Sequence, residues 1–481
     1  METPSDFMNF VKEQNIRMVA LRFVDLYGHW HTLTIPASKV NDELFTMGEP
    51  FDGSSIPGFK TTEAGDMVLL PDVETVVRDP FAEFPTLSVI CTVAEADTRE
   101  PFVRDPRGIA AKAEKALSSL GIGDSASWSP EFEFYVFDRV LYENSVNKCG
   151  FHIESPEGFW HRHLDAADKD TGFGEYPLKQ GGYHQTTPMD RLFDLRSEIC
   201  EFGEDAGIDV HYHHHEVGGP GQCEIEIEFL NTVKAGDAVL YLKYLTRNVA
   251  ASRGLLATFM PKPMYNVAGS GMHFHQHLFN GDKPLFWDYE QKNYADLSDL
   301  ALYYIGGLLK HGPALLAFTN PSTNSYRRLV PGFEAPVKSF FSLGNRSAAV
   351  RVPKYATTPE SKRMEFRPPD ASCNPYLAMA AQLMAGIDGI VNKFDPREHG
   401  YGPFDVDVFK LPKEERDKIH SLPTDLSEAI QALREDHEFL LREGVFSADM
   451  INSYCEHLFQ KEVQPIKGMP HPFEFERSLH C

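Results

Sequence analysis

The chain of 481 residues has little that would form a disulfide framework, a membrane span or a secretion signal. Its seven cysteines are odd in number and scattered, with no CxxC pair, a usage typical of reduced thiols in a cytoplasm. No apolar stretch reaches the roughly 20 residues that cross a bilayer. The longest one, residues 376–391, is interrupted by Gln382 and Asp388 and predicts a buried helix. The N-terminus lacks the basic, then apolar, then small-residue order of a secretion signal. We therefore expect a cytoplasmic protein.

Basic residues are also scarce. The chain has 46 Lys and Arg against 70 Asp and Glu, a formal net charge of -24. This balance argues against nonspecific binding to nucleic acid or to an anionic membrane, which needs basic patches. The sequence contains no GxxxxGK[ST] motif and no GxGxxG after a strand, so any nucleotide site has to be built in another way. No internal repeat or long low-complexity tract is present.

What is present predicts a soluble α+β protein of more than one domain. The hydrophobic content of 42% is ordinary for a globular chain, and the length predicts roughly two to four domains. Residues 1–105 carry strand-like stretches at 16–25, 31–35 and 87–93, and predict a small α+β domain. Residues 106–481 predict a larger mixed domain. Its expected strands are 129–137, 223–229, 270–279, 348–352 and 363–367, and its expected helices are 109–120, 189–205, 234–259, 295–316, 374–392 and 426–443.

The segment HHHEVGGPGQCEIEIEF, which begins at His213, is the most informative one. On a strand, Glu224, Glu226 and Glu228 share one face and the apolar residues between them share the other. Glu216 lies upstream of a Gly-Gly-Pro-Gly stretch that can turn the backbone toward that face. Three like charges on one face repel unless a cation sits among them. The segment alone leaves a metal site and a solvated strand face as alternatives.

Three other strands repeat this alternation of functional and apolar side chains. Their aligned residues are Glu131 with Glu133, His273 with His275 and His277, and Arg363 with Glu365 and Arg367. Four such strands imply either four solvated sheet faces or one shared polar cavity, and the recurrence of Glu, His and Arg favours the cavity. Carboxylates with one or two imidazoles suit magnesium or manganese. Zinc bound by the histidines at 211 and 213–215 is the weaker alternative, since zinc sites more often show closely spaced Cys and His.

A second cluster of residues is cationic. Arg328, Arg346 and Arg351 follow one another in two loop-rich stretches, and Arg367 belongs to the last alternating strand. The guanidinium group is a forked donor that matches carboxylate and phosphate. Arginines beside metal-binding acids are typical of phosphoryl transfer, where both neutralise charge on the transferring phosphate. Surface salt bridges are the alternative interpretation.

These motifs together resemble the type I glutamine synthetases over nearly the whole chain. The matching stretches are FDGSSIPGF from Phe51, PEFEFYVFD from Pro130, KQGGYHQTTPMD from Lys179, HHEVGGPGQCEIEIEF from His214, GSGMHFH from Gly269, RRLVPGFEAP from Arg327, NRSAAVRVP from Asn345 and RMEFRPPDASCNPYLA from Arg363. The resemblance implies an N-terminal β-grasp domain and a C-terminal α/β catalytic domain with an antiparallel half-barrel, as in the glutamine synthetase and guanido kinase fold. It also implies a homo-dodecamer of two hexameric rings, with residues 468–481 inserted into the opposite ring.

The resemblance further implies an activity and its residues. ATP would convert glutamate to γ-glutamyl phosphate, which ammonia attacks to give glutamine, ADP and phosphate. Two or three Mg²⁺ or Mn²⁺ ions per subunit would take part. The first would be held by Glu133, Glu216 and Glu224, and the second by Glu131, His273 and Glu365.

The remaining implied roles concern the substrates. Glutamate would be bound by Arg328, Arg367 and the backbone of Gly269. The phosphates and nucleotide would be contacted by His214, His275, Arg346, Arg351 and Arg363. Ammonium would bind beside Tyr183 and beside Asp52 of a neighbouring subunit, and Asp52 would take its proton. Glu334, on a flap, would close the site and exclude water.

The sequence departs from the family pattern at three positions. Ala268 stands where many type I members carry an asparagine that contacts glutamate, and this leaves glutamate affinity open. Phe409 stands where others carry the adenylylated tyrosine, so we expect no adenylylation at this site. Thr61 replaces an arginine that one subclass uses for glutamine inhibition. Two rivals remain: a γ-glutamyl-amine ligase that uses an organic amine, and a non-catalytic oligomeric homologue. The effectors and the metal used in the cell are open.

Overall fold

The computed structural model describes residues 1–160 and 176–481. The strands are β1 (Met18–Val24), β2 (Trp30–Pro36), β3 (Glu49–Asp52), β4 (Asp66–Pro71), β5 (Val77–Arg78), β6 (Thr86–Glu95), β7 (Ser125–Phe137), β8 (Arg139–Ser145), β9 (Lys148–Glu154), β10 (Val210–His215), β11 (Gln222–Ile227), β12 (Leu230–Asn231), β13 (Leu256–Thr258), β14 (Met272–Asn280), β15 (Lys283–Pro284), β16 (Phe341–Leu343), β17 (Val350–Val352) and β18 (Met364–Phe366).

The α-helices are α1 (Pro4–Glu13), α2 (Asp42–Thr46), α3 (Pro106–Ser119), α4 (Phe193–Asp205), α5 (Thr232–Ser252), α6 (Asp299–Lys310), α7 (Gly312–Thr319), α8 (Ser325–Arg328), α9 (Pro375–Val391), α10 (Lys413–Arg416), α11 (Leu426–Glu435), α12 (Glu438–Leu441), α13 (Ala448–Leu458), α14 (Gln464–Lys467) and α15 (Pro472–Ser478). Within the described ranges, no helix is both long enough and apolar enough to cross a membrane.

The first sheet belongs to the N-terminal part of the chain. Its order is β2-β1-β6-β4-β3, with β5 paired to β6. β1 and β6 run parallel, whereas the other pairs are antiparallel. A separate apolar core, which extends from Phe7 to Phe102, packs against this sheet. This arrangement is the expected β-grasp domain.

The second sheet has the order β10-β11-β7-β14-β18-β17-β16 and is curled into the expected half-barrel. The long strand β7 lies at its centre because it pairs with four partners: β11, β12, β13 and β14. Phe132 and Phe134 of β7 lie in the core on one face. Glu131 and Glu133 alternate with them and face a cavity on the other. The α+β fold class and the polar faces of these strands are therefore as the sequence predicts.

Helix α9 fills the core behind this sheet. Asn374 caps its first turn by accepting from the backbone N–H groups of Tyr376 and Leu377, and Pro375 occupies the first position, where no N–H is needed. The apolar stretch 376–391 is thus a buried helix, as predicted. The Asn374 side chain also donates to the carbonyl of Asp25, 3.1 Å away, and so joins the two domains.

Three predicted helices are wrong in extent. The helix expected at 234–259 ends at Ser252, and Leu256–Thr258 instead form β13 beside β7. The helix expected at 295–316 is two helices, α6 and α7, because Pro313 in the first turn of α7 cannot donate a helical hydrogen bond. The helix expected at 426–443 likewise divides into α11 and α12. Ten strands lie outside the predicted ones, namely β3, β4, β5, β8, β9, β10, β12, β13, β15 and β16.

Candidate active site

The polar face of the second sheet lines a cavity of about 310 Å³. The hairpin formed by β10 and β11 supplies one wall, β7 and β14 supply the floor, and the loops after α8 and around β17 and β18 supply the other wall. The lining residues are Glu131, Glu133, Tyr183, His211, Tyr212, Glu216, Val217, Glu224, Glu226, Ala268, Gly269, His273, Arg328, Phe333, Glu334, Arg346, Arg351, Tyr355, Arg363 and Arg367. The four alternating strands therefore share one cavity, as predicted from their patterns.

Glu131, His273 and Glu365 form one group of metal-ligating side chains, each offering a ligand atom within 4.8 Å of the others. They lie on β7, β14 and β18, which are neighbours in the sheet. Arg328 can only donate, so its Nη2, 3.2 Å from His273 Nε2, leaves that nitrogen unprotonated. The proton then resides on Nδ1, which donates to Glu131 Oε1 at 3.1 Å. A cation bound at this group would replace that proton.

Glu365 is fully buried and is held by two arginines. Arg351 Nη1 lies 2.5 Å from its Oε2, and Arg367 Nη1 pairs with its Oε1. Burial opposes ionisation of this carboxyl, but Arg367, His275 and Arg351 outweigh it and lower the pKa of Glu365 to about 2. The group therefore stays a carboxylate at neutral pH.

His214, Glu216 and Glu224 form a second group, again with ligand atoms within 4.8 Å of one another. The hairpin pairs His214 directly with Glu224, and the positive-φ residues Gly219 and Gly221 turn the chain between the two strands. His214 Nδ1 donates to the carbonyl of His215 at 3.0 Å. Its Nε2, 3.1 Å from Glu224 Oε1, remains directed into the group.

The electrostatics of this second group fit a cation. Burial, then Glu224 and Glu133, raise the pKa of Glu216 to about 10, and burial with Glu131 and Glu133 raises the pKa of Glu224 well above its usual range. In the part of the chain that the structure describes, Glu216 Oε2 is buried with no hydrogen-bond donor. Its nearest imidazole nitrogen, His214 Nδ1, is 3.6 Å away. A divalent cation would satisfy this oxygen and offset the repulsion.

Glu133, which the family resemblance assigns to the first metal, lies between the two groups. Its Oε1 is 3.9 Å from His273 Nε2, and its charge raises the pKa of both Glu216 and Glu224. Gln222 Nε2 donates to its other oxygen at 2.9 Å. The structure therefore gathers the six predicted ligands at one cavity, which five of them line while Glu365 lies buried beside Glu131 and His273. It adds His214, which pairs with Glu224 through the register of the hairpin.

The predicted arginines lie around these carboxylates. Arg346 is exposed and donates a hydrogen bond to the phenol oxygen of Tyr183. Arg363 stacks on Tyr355 at 5.2 Å. Arg328 is buried, and four of its N–H groups already have acceptors: the carbonyls of residues 367, 368 and 369, and His273. Only its Nε remains for a substrate carboxylate unless one of these bonds exchanges.

The flap predicted to close the site forms part of the cavity wall. Glu334 lies exposed with a φ of 58°, in the left-handed region that a non-glycine residue rarely adopts. The ammonium group of Lys262 lies over the ring of the neighbouring Phe333, 4.0 Å from the ring centre. Lys262 also donates to the carbonyl of Val267, in the loop that leads to Gly269. One side chain thus links the flap to this loop.

The backbone at Ala268 is held from both sides. Tyr135 donates its hydroxyl to the Ala268 carbonyl at 2.7 Å, and the Ala268 N–H donates to Gln180 Oε1 at 2.7 Å. Gln222 donates to the Gly269 carbonyl at 3.1 Å. The loop that lacks the family's asparagine is therefore positioned by three side-chain amide or phenol groups.

Four predicted site residues do not line the cavity: His214 and Glu365, which belong to the metal-ligating groups beside it, and Asp52 and His275. Asp52 is exposed on the N-terminal domain, where Ser54 and Ser55 hydrogen-bond its carboxylate and lower its pKa. His275 is buried behind Glu131, with its Nε2 3.3 Å from Glu131 Oε2.

Sequence reasoning assigned no ligand role to Tyr212 or to Glu226. They are cross-strand partners, and the Tyr212 hydroxyl bonds Glu226 at the cavity wall. Alternation along β10 would have revealed Tyr212, but that strand was not predicted. Glu228 lies past the end of β11 and pairs with His211, both half-exposed.

Family models and relatives agree with this architecture. The model described as the glutamine synthetase β-grasp domain matches residues 15–96, and that of the glutamine synthetase catalytic domain matches residues 103–478. The chain is 44% identical over 481 residues to a glutamine synthetase of Microchaete diplosiphon, covering 100% of both chains. It is 45% identical over 474 residues to one of Aquifex aeolicus, covering 98% of both.

Solved structures show the same likeness. A Plasmodium falciparum glutamine synthetase superposes with a TM-score of 0.88 at 25% identity, covering 99% of both chains. GmaS without ligand superposes with a TM-score of 0.79 at 25% identity, covering 99% of this chain and 100% of that one.

A β-grasp domain joined to a half-barrel with paired carboxylate–histidine groups and arginines defines a ligase that uses ATP and divalent metals. The chain belongs to the glutamine synthetase family.

Proposed function

We propose that the chain is a type I glutamine synthetase that joins ammonia to the γ-carboxylate of L-glutamate through γ-glutamyl phosphate, with ATP as co-substrate. The observation that carries this proposal is the single cavity in which two metal-ligating groups meet five arginines. A glutamate carboxylate is a poor electrophile for ammonia, whereas an acyl phosphate has a good leaving group. The cavity supplies the charge needed to form one.

The metal-ligating residues would hold Mg²⁺ or Mn²⁺. Glu216, Glu224 and Glu133 would hold one ion, with His214 adjoining, while Glu131, His273 and Glu365 would hold another. When bound, such cations neutralise phosphate charge and polarise the transferring group. Because Glu365 stays ionised between its two arginines, it can serve a cation and orient both guanidinium groups at once.

The arginines would receive the anionic substrates. Arg346, Arg351 and Arg363 face the cavity and would bind the ATP phosphates and the phosphoryl group in transfer, where charge neutralisation lowers the barrier. His275, hydrogen-bonded to Glu131, would act on the nucleotide end through that carboxylate. Arg328, Arg367 and the fixed backbone of Gly269 would bind glutamate.

Ammonium would bind at the open side of the cavity, near Tyr183 and Glu334. Asp52, exposed on its own domain, would reach the cavity of the next subunit in a homo-dodecamer of two hexameric rings and would take the proton that ammonium must lose. The C-terminal segment supports assembly, because Phe473, Phe475 and Leu479 are each more than half exposed in one chain. Closure of the Glu334 flap would exclude water from the acyl phosphate.

ATP turnover measured with glutamate and ammonium, against methylamine, ethanolamine and a polyamine, tests the proposal. We expect ammonium to give the highest kcat/KM. A higher kcat/KM for an organic amine would favour the second candidate function, that of a γ-glutamyl-amine ligase. The structural likeness to GmaS is the reason for testing this candidate. An absence of ATP turnover with every amine would favour a non-catalytic homologue.

A further inference from the structure

A second cavity, of about 550 Å³, lies between the turn that joins β1 to β2 and helix α5. We call it the interdomain cavity. Its volume is in the range of small-molecule sites, roughly 300–1,000 Å³. Aromatic side chains form much of its wall, namely Tyr27, Trp30, Tyr244 and Phe259. None of its lining residues lines the cavity described above.

Four cationic or ionisable basic side chains face the interdomain cavity, and two of them lack an acidic partner. Arg22 pairs with Asp79 at 2.9 Å, and His29 pairs with Asp25 at 3.2 Å. Among the described residues, no carboxylate lies within 4.0 Å of Lys243 or Arg247. Such a pair is unusual in a chain whose formal net charge is -24.

Lys243 is the more deeply buried of these two cations. It is 7% exposed, and its Nζ donates to the Ala371 carbonyl at 2.6 Å. A buried ammonium with one neutral acceptor and no counterion costs free energy that a bound anion would recover. Arg247 follows one turn later on the same face of α5, so both cations serve one site. Each lies 5.4 Å from the centre of the Phe259 ring.

The cavity walls also indicate the chemistry of the uncharged part of the ligand. The aromatic rings, with Leu240 and Met260, offer an apolar surface beside the two cations. The indole Nε1 of Trp30 is buried with no acceptor among the described residues. We propose that the interdomain cavity binds a small aromatic carboxylate, with its ring against the aromatic wall and its carboxylate between Lys243 and Arg247.

The site adjoins the glutamate end of the active-site cavity. Pro261, on its wall, accepts from the N–H of Ser270 at 2.8 Å, and Ser270 follows Gly269. Ala371, which holds Lys243, lies two residues beyond Pro369, whose carbonyl accepts from Arg328 at 3.2 Å. An occupant of the interdomain cavity is therefore placed to change glutamate binding, a consequence that rests on the proposed function.

Calorimetric titration of the full-length protein with benzoate, with saturating glutamate present to fill the active site, tests binding. We expect saturable binding that weakens about tenfold or more in Arg247→Gln, since a hydrogen bond to a charged group is lost. Lys243→Met should weaken it similarly. The matched control is Arg253→Gln, which removes a charge from the end of α5 where Arg253 pairs with Glu198 outside the cavity. Benzamide, the same ring without the charge, should bind at least tenfold more weakly.

Several results would overturn the proposal: no saturable binding of benzoate, equal affinity in Arg247→Gln and wild type, complete displacement of benzoate by glutamate, as a shared site requires, or benzamide binding as tightly as benzoate. Because Arg247 is exposed, we expect Arg247→Gln to fold. This variant therefore tests the proposal even if Lys243→Met fails to fold. With binding established, benzoate should change the KM for glutamate in wild type and not in Arg247→Gln. An unchanged KM at saturating benzoate would refute the effector role alone, and inactivity with glutamate and ammonium would refute the proposed function alone.

Discussion

Replacing Glu216 by glutamine should stabilise the metal-free protein, even though it removes a proposed metal ligand. Burial, Glu224 and Glu133 raise the pKa of Glu216 in the folded state from 4.5 to about 10. The folded protein therefore binds a proton at this site at neutral pH, whereas the unfolded chain does not. The raised pKa leaves stability intact below pH 4.5, and stability is lost as the pH rises from there toward 10.

The magnitude follows from the distance between the working pH and the unfolded pKa. At pH 7 the pH lies about 2.5 units above the unfolded pKa, and this difference lowers the free energy of unfolding of wild type by about 3 kcal/mol. The glutamine variant avoids this loss because its side chain does not titrate. With an unfolding entropy of about 2.1 cal/mol/K per residue, a chain of this length changes by about 1 kcal/mol per degree. The metal-free Glu216→Gln protein should therefore melt about 3 °C above wild type at pH 7, with no difference near pH 4.5.

Metal should largely cancel this difference. A cation at 100 times its Kd stabilises wild type by about 2.7 kcal/mol, and the variant should lose most of that gain. Differential scanning fluorimetry with EDTA and with Mg²⁺, from pH 4.5 to 8, measures both effects. Glu228→Gln is the control, because Glu228 is half-exposed and pairs with His211 away from the cavity. A metal-free Glu216→Gln protein that melts below wild type at pH 7 would refute the reasoning.

Three further predictions concern catalysis and modification. Glu365→Gln should lower kcat by at least about a hundredfold, because Arg351 and Arg367 lose the carboxylate that orients both; an unchanged kcat in steady-state assays would contradict this role. Lys262→Met should raise the ATP hydrolysed per glutamine formed, because the Phe333 ring of the flap loses its contact with the ammonium group. Lys262→Arg should retain the wild-type ratio. Equal ratios in both variants, measured by coupled ADP and glutamine assays, would refute the link between Lys262 and flap closure. The loop at Phe409 should carry no AMP, since it offers no phenol oxygen, and an AMP adduct on that peptide by mass spectrometry would show otherwise.

The sequence predicted the polar cavity because strand geometry fixes which side chains share a face. Glu131 and Glu133 alternate with Phe132 and Phe134, and a period of two leaves no other arrangement on a strand. The alternation in β14 and β18 led to the same face by the same rule.

The sequence did not predict where the helices end or how the hairpin pairs. Helicity depends on tertiary packing as well as on composition, so the apolar residues after α5 form β13 beside β7 instead of extending the helix. The position of His214 opposite Glu224 depends on the register of β10 with β11, which is set by the turn between them and cannot be read from either strand alone.

The order in which strands join the central sheet also constrains how this protein is made. β7 pairs with β11 and β14, and Glu131 meets His273 142 residues later in the chain. Closing such long loops costs entropy before any contact repays it, so the sheet forms slowly. While β18 is still being synthesised, β14 presents unpaired backbone groups to other chains. The emerging polypeptide is therefore exposed to misassociation in the interval after β14 has left the ribosome and before β18 has followed it.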